Sequence, residues 1–91
     1  MVVVTLSEKF AEQLRVSRAR LNISQEELAF RADIHRTQIS MIESGQRTPR
    51  LDTFVKLAGA LEVEPAELLG PIRWRPGVYE PGTFDLGETD L

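Results

Sequence analysis

The chain has 91 residues, 42% of them apolar, with no cysteine and a net charge of −3. That length suits one domain with one modest core, and the composition is ordinary for a folded protein. Without cysteine there are no disulfides, thiolate metal sites or cysteine nucleophiles, which fits a reducing compartment. The N-terminus lacks the basic and long apolar regions of a signal peptide, and no apolar run approaches the roughly 20 residues of a membrane span. A soluble cytoplasmic protein, with no membrane partner, is expected.

The charge is unevenly placed. Residues 1–61 carry nine Lys/Arg and seven Asp/Glu, whereas residues 62–91 carry two and seven, so the balances are +2 and −5. Nucleic-acid binding needs a local positive surface rather than a basic total. The acidic end is expected to face away from any phosphate backbone.

In chain order, Ser7 reads as the N-cap of a first helix running to about Leu21, with Phe10, Leu14, Ser17 or Arg18, and Leu21 facing inward. Asn22-Ile23 ends it, because asparagine tolerates the left-handed conformation that closes helices. Ser24 caps the second helix, and Glu27 completes a capping box three residues on. Leu28, Ala29 and Ala32 are its buried stripe. Asp33 serves the turn Ala32-Asp33-Ile34-His35 where glycine would be easier. A third helix runs from about Arg36 to Ser44, with Ile39 and Ile42 inward and Gly45 as its stop. Pro49 keeps Thr48 extended, so residues 46–50 form a loop. Leu51, Phe54, Leu57, Ala58 and Leu61 mark one side of a fourth helix. Glu64-Pro65 opens a short fifth helix anchored by Leu68 and Leu69.

From Gly70 the pattern changes. Pro76-Gly77 and Pro81-Gly82 are turn signals, and the alternation of Ile72/Trp74 and of Phe84/Leu86 is that of strands. The reading is an all-α, compact five-helix domain over residues 1–69. A short extended tail, or small β-hairpin, follows over residues 70–91, with Glu88 to Leu91 frayed.

Ser24 to Gly45 is therefore two short amphipathic helices joined by a tight turn, followed at once by a basic loop. One helix can lie in the major groove of DNA while its neighbour crosses the backbone. The segments Ser24-Gln25-Glu26-Glu27-Leu28-Ala29, Ile39-Ser40-Met41-Ile42-Glu43-Ser44-Gly45, Arg47-Thr48-Pro49 and Leu57-Ala58-Gly59-Ala60-Leu61 closely resemble the phage-repressor-like (Xre, Cro/CI-type) helix-turn-helix family. The resemblance covers about residues 8–69, with its elements in the family's order and spacing. It implies a lambda-repressor-like five-helix DNA-binding domain, with the third helix in the major groove and a dimer on a palindromic site. Two positions depart from the family pattern: Asp33 replaces a common glycine, and His35 replaces a common Ser or Thr cap.

The resemblance assigns base contacts to the outward face of the third helix, Arg36, Thr37, Ser40 and Met41. Arg36 is the strongest, since a guanidinium bonds both acceptors of a guanine edge. Met41 can touch only a thymine methyl, or fill space. Gln25, at the head of the second helix, can meet a phosphate, although capping alone would also account for it. His35, Gln38, Ser44, Gln46, Arg47 and Arg50 frame the reading helix as phosphate contacts, with Arg47 and Arg50 as the clamps. The family's acid at the end of helix three falls on Glu43 and its partner on Arg18. Both interrupt apolar faces, as a partly buried ion pair would.

Val63, Leu68, Leu69, Ile72, Trp74 and Phe84 remain for a dimer seam or tail packing. Trp74, Tyr79 and Phe84 could instead stack single-stranded bases, but aromatics in a tail more often cover a core edge. The lone histidine has no second ligand to share a metal, and no catalytic constellation is present; neither an enzyme nor a cofactor is expected. The leading reading is a sequence-specific transcriptional regulator on double-stranded DNA, a homodimer. The rival is a protein-interaction module, such as an antitoxin or adaptor holding a protein partner through its tail.

Overall fold

The computed structural model describes residues 4–87. The expected fraying of Glu88 to Leu91 lies outside the described residues. Five helices come first: α1 (Leu6–Leu21), α2 (Gln25–Ala32), α3 (Arg36–Glu43), α4 (Leu51–Ala60) and α5 (Pro65–Leu69). Two strands follow, β1 (Arg73–Arg75) and β2 (Thr83–Asp85). The expected helical domain and hairpin are both there.

Helix α1 begins earlier than the Ser7 reading. Thr5 is the N-cap: its hydroxyl accepts from the Glu8 N–H at 3.2 Å, and the Glu8 carboxylate accepts from the Thr5 N–H at 3.0 Å. The physical reason is reciprocity. Thr5 has an acid three residues on, whereas Ser7 has Phe10 there, which is needed in the core. The Ser24 cap of α2 is as expected, its oxygen accepting from the Glu27 N–H at 3.0 Å. The second half of that box does not form. The Glu27 carboxylate turns forward instead, accepting from Arg31 at 3.0 Å one helical turn on.

Both tight helix ends use the left-handed conformation, at Asn22 (φ 54°) and Asp33 (φ 55°). The Asp33 turn sends the chain sharply from α2 into α3. Helix α3 ends at Glu43 with Ser44 as its cap, one residue short of expectation, and Gly45 follows at φ +77°.

The core is assembled from every helix: Leu14 of α1, Leu28 of α2, Ile39 and Ile42 of α3, Leu57 of α4 and Leu68 of α5 are fully enclosed. Helix α3 is clasped between α1 and α2, while α4 packs on α2 and α5. This leaves α3 with one face in the core and the other on the surface.

Two apolar assignments change. Leu51, expected on the inner side of α4, is 78% exposed, because the first turn of α4 overhangs the end of the core; Thr53 is buried in its place. Leu68 and Ile72 lie in the protein's own core and are not surplus side chains for a partner. Val63 and Leu86 pack partly against that core. Leu69, Trp74 and Phe84 stay exposed. The strands pair antiparallel with Trp74 opposite Phe84, their rings edge-on at 5.0 Å.

Candidate nucleic-acid interface

Helix α3 is held at both ends by side chains. At its start, His35 is the N-cap, its Nδ1 accepting from the Thr37 N–H at 3.1 Å. The imidazole thus does the work of a serine or threonine oxygen, and the departure noted at this position costs the helix no cap. At its end, the Glu43 carboxylate is buried and receives Arg18 Nε at 2.7 Å, Arg18 Nη2 at 2.9 Å and Gln25 Nε2 at 3.1 Å. Arg18 also donates to the Ile23 carbonyl at 2.8 Å. Its guanidinium pKa is raised above its already high value, chiefly by the hydrogen bonds to Glu43, which outweigh the cost of burial. The ion pair expected from the sequence is therefore in place, and it ties α1, α2 and α3 together.

Arg15 belongs to the same network and was not expected: its Nη1 donates to the Glu43 carbonyl at 2.5 Å. The available signal was its position three residues before Arg18, which puts both on one side of α1. Gln25 had been assigned to phosphate. Its amide is in fact shared, with one N–H turned to Glu43 and the second left over.

The outward face of α3 carries Arg36, Thr37 and Ser40, all exposed, with Met41 half-buried beside them. Two clefts flank this face. One, of about 420 Å³, is lined by Arg18, Ser24, Gln25, Glu26 and Arg36, so Arg36 opens onto the same space as the α2 N-terminus. In that first turn the Glu27 N–H is taken by Ser24, and the N–H groups of Gln25 and Glu26, without an intrahelical partner, favour an anion.

The other cleft, of about 510 Å³, brings together His35, Gln38, Arg47 and Arg50, as expected, and adds Lys56 of α4 and Asp52. Lys56 had not been singled out, since a lone lysine on an exposed helix face gives no sequence signal. Arg50 leans toward Asp52 at 3.6 Å, but both side chains are well exposed and the pairing is weak. Among the described residues, Arg36, Arg47 and Lys56 have no carboxylate within 4.0 Å. Ser44 and Gln46 are committed to the helix end: Ser44 Oγ donates to the Met41 carbonyl at 3.1 Å, and Gln46 Nε2 donates to Ser44 Oγ at 2.8 Å.

The arrangement is thus an exposed α3 face bearing Arg36, with the uncommitted Arg47 and Lys56 in one flanking cleft and the α2 N-terminus in the other, mounted on a helix anchored at each end. No helix of the described residues is long and apolar enough to cross a membrane.

This geometry has relatives. The profile of the helix-turn-helix family HTH_3 matches residues 12–68. The control protein C.BamHI of Bacillus amyloliquefaciens is 51% identical over 57 residues, spanning 63% of this chain and 68% of that protein. Among solved structures, the restriction-modification controller protein C.AhdI of Aeromonas hydrophila superposes with a TM-score of 0.66 at 42% identity, over 68% of this chain and 94% of its own. The P22 c2 repressor, crystallised with a synthetic operator, superposes with a TM-score of 0.62 at 28% identity, over 67% of this chain and 92% of its own. The relatives are regulators rather than enzymes, and this chain belongs to the helix-turn-helix family.

Proposed function

We propose that the protein is a sequence-specific, double-stranded DNA-binding transcriptional regulator that acts as a homodimer on a palindromic operator. The observation that carries this reading is the exposed face of α3, bearing Arg36, between a cleft with the uncommitted Arg47 and Lys56 and a cleft at the α2 N-terminus. In it, residues 1–69 hold the reading surface, and α3 enters the major groove. Arg36, Thr37, Ser40 and Met41 meet base edges, with Arg36 forked onto guanine. Arg47, Arg50, His35, Gln38 and Lys56 neutralise phosphates on one flank. The free N–H groups at the α2 terminus, with the spare amide N–H of Gln25, hold one on the other. Identities of 51% and 42% to two controller proteins support control of restriction-modification genes as the narrower reading.

An antitoxin-like or adaptor module is not favoured. Such a module has no use for Arg36, Arg47 and Lys56 around one helix without carboxylate partners.

Selection of binding sites from a randomised duplex library tests the proposal. The expected product is an inverted repeat whose half-sites sit about one helical turn, roughly 34 Å, apart. Recovery of no enriched sequence would overturn it. An enriched site upstream of restriction or modification genes would support the narrower assignment.

A further inference from the structure

The hairpin leaves the helical body with an apolar face that continues past the end of the core. Side chains alternate along a strand, so Ile72 and Trp74 share a face, as do Leu86 and Phe84 on the partner strand. Ile72 is packed into the core and Leu86 partly against it, whereas Trp74 and Phe84 are 58% and 46% exposed. The indole lies close over Gly82, where an added Cβ would come within 2.4 Å of it, and edge-on to Phe84, so the two rings form one ridge. A two-stranded ribbon of three residues per strand is not stable by itself in water, and its apolar face calls for a cover.

The same chain carries a matching recess. An apolar groove of about 380 Å³ runs between the start of α4 and the end of α5, and among its lining residues are Leu6, Pro49, Leu51, Phe54 and Leu69. Ile72 lines it as well, so ridge and groove belong to one continuous surface. None of the groove's lining residues is charged. On the hairpin, Arg75 pairs with Asp85 at 2.6 Å, and Arg73 donates to the Gly70 and Ile72 carbonyls at 3.0 Å. The groove therefore offers no complement to phosphate or an ionic peptide.

We propose that the hairpin is a dimerisation arm: Trp74 and Phe84 of one copy seat in the Leu51–Leu69 groove of a second copy, and the second copy reciprocates. A ridge and a groove that are both apolar, adjacent and on one chain are self-complementary under a two-fold axis, which buries two contacts at once. The exposed parts of Leu51, Leu69, Trp74 and Phe84 come to on the order of 400 Å² per protomer. That is about half of the roughly 800 Å² per partner of a standard specific contact, and the residues flanking ridge and groove supply the rest. The arm lies beyond residue 68, where the family match ends, so it is a feature of this chain rather than of the shared domain.

The arm refines the dimer of the reading above, but its test needs no DNA. Trp74→Asp removes the ridge and Leu51→Asp blocks the groove, and both positions are exposed enough to leave the core intact. Sedimentation of the full-length chain should show a dimer, and each variant should raise its dissociation constant at least tenfold. Mixing the two variants should restore association, because the heterodimer regains one intact ridge-in-groove contact while neither homodimer has any. Leu69→Asp provides a second groove variant should Leu51→Asp lose its helical circular dichroism. A monomeric full-length chain at about 100 µM, variants as dimeric as the parent, or a mixture no tighter than its components would each overturn the proposal. Binding to a single half-site, measured on the same variants, should be unchanged. Its loss would count against the DNA reading and not against the arm.

Discussion

Arg18 and Glu43, 25 residues apart, meet as a two-pronged ion pair, Nε to Oε2 at 2.7 Å and Nη2 to Oε1 at 2.9 Å, with the carboxylate buried and the guanidinium only partly exposed. Because Gln25 and Arg15 also bond Glu43, this one residue fixes the end of α3 against both neighbouring helices. The pair positions the reading helix without touching its outward face.

Removing one partner strands the other charge. Glu43→Ala should therefore cost about 3 kcal/mol of stability, at the lower end for a buried pair because the Arg18 guanidinium retains some solvent. Glu43→Gln should cost less, since the amide oxygen still accepts from Arg18. Urea unfolding followed by far-ultraviolet circular dichroism checks both. DNA affinity measured well below the melting temperature should fall less than stability does. A variant with unchanged stability and abolished binding would show that Glu43 acts directly at the DNA.

The imidazole cap makes a sharper prediction. His35→Ala should destabilise the protein by about 1 kcal/mol, the usual cost of deleting an N-cap. His35→Ser should restore most of it, because the hydroxyl can accept from the same turn. Urea midpoints for the three proteins decide the matter. If serine is no better than alanine, the Nδ1 contact to Thr37 is not what stabilises α3.

Base reading and phosphate clamping should separate by mutation. Arg36→Ala should weaken a cognate operator by about 1–3 kcal/mol and relax preference at one base position. Arg47→Ala and Lys56→Ala should each weaken cognate and random duplexes alike and lower the salt slope by about one. Titration of both duplexes at several salt concentrations gives all three quantities. Equal loss on every sequence for Arg36→Ala would mean that α3 does not read bases through that residue.

Acid should open the hairpin. The Gly87 N–H and the Arg75 guanidinium hold the Asp85 carboxyl below the ordinary carboxylate range in the folded state. Its contribution is therefore full above the unfolded pKa and is lost as pH falls through the depressed folded value. Trp74 is the only tryptophan, and at a concentration where the chain is monomeric its emission reports the hairpin. Emission should shift as the solution passes below the ordinary carboxylate range, and Asp85→Asn should abolish that step. Emission that stays flat to strongly acid pH would place the stability of the ribbon elsewhere.

Much of this architecture is legible in the chain because its causes are local. Helical periodicity locates α1 to α5, Asn22 and Asp33 mark left-handed turns by their short polar side chains, and Pro65 marks the start of α5. The Arg18–Glu43 partnership was readable through the family pattern and because each charge interrupts an apolar stripe. What periodicity cannot convey is where one element overhangs another. Leu51 keeps helical phase with Ala58, yet it projects past the core, while Ile72, seemingly a tail residue, closes it. Capping likewise turned on competition: Thr5 won over Ser7 because Phe10 was needed inside, and Glu27 chose Arg31 over its own N-cap. The flank of the reading helix shows the same division. Arg47 and Arg50 announce themselves in a basic loop, whereas Lys56 joins them only because α4 packs across the turn. Local sequence determines which residues can curl, cap and bury; only the packed fold decides which distant surfaces share a cleft, because that depends on how helices of unequal length end against one another.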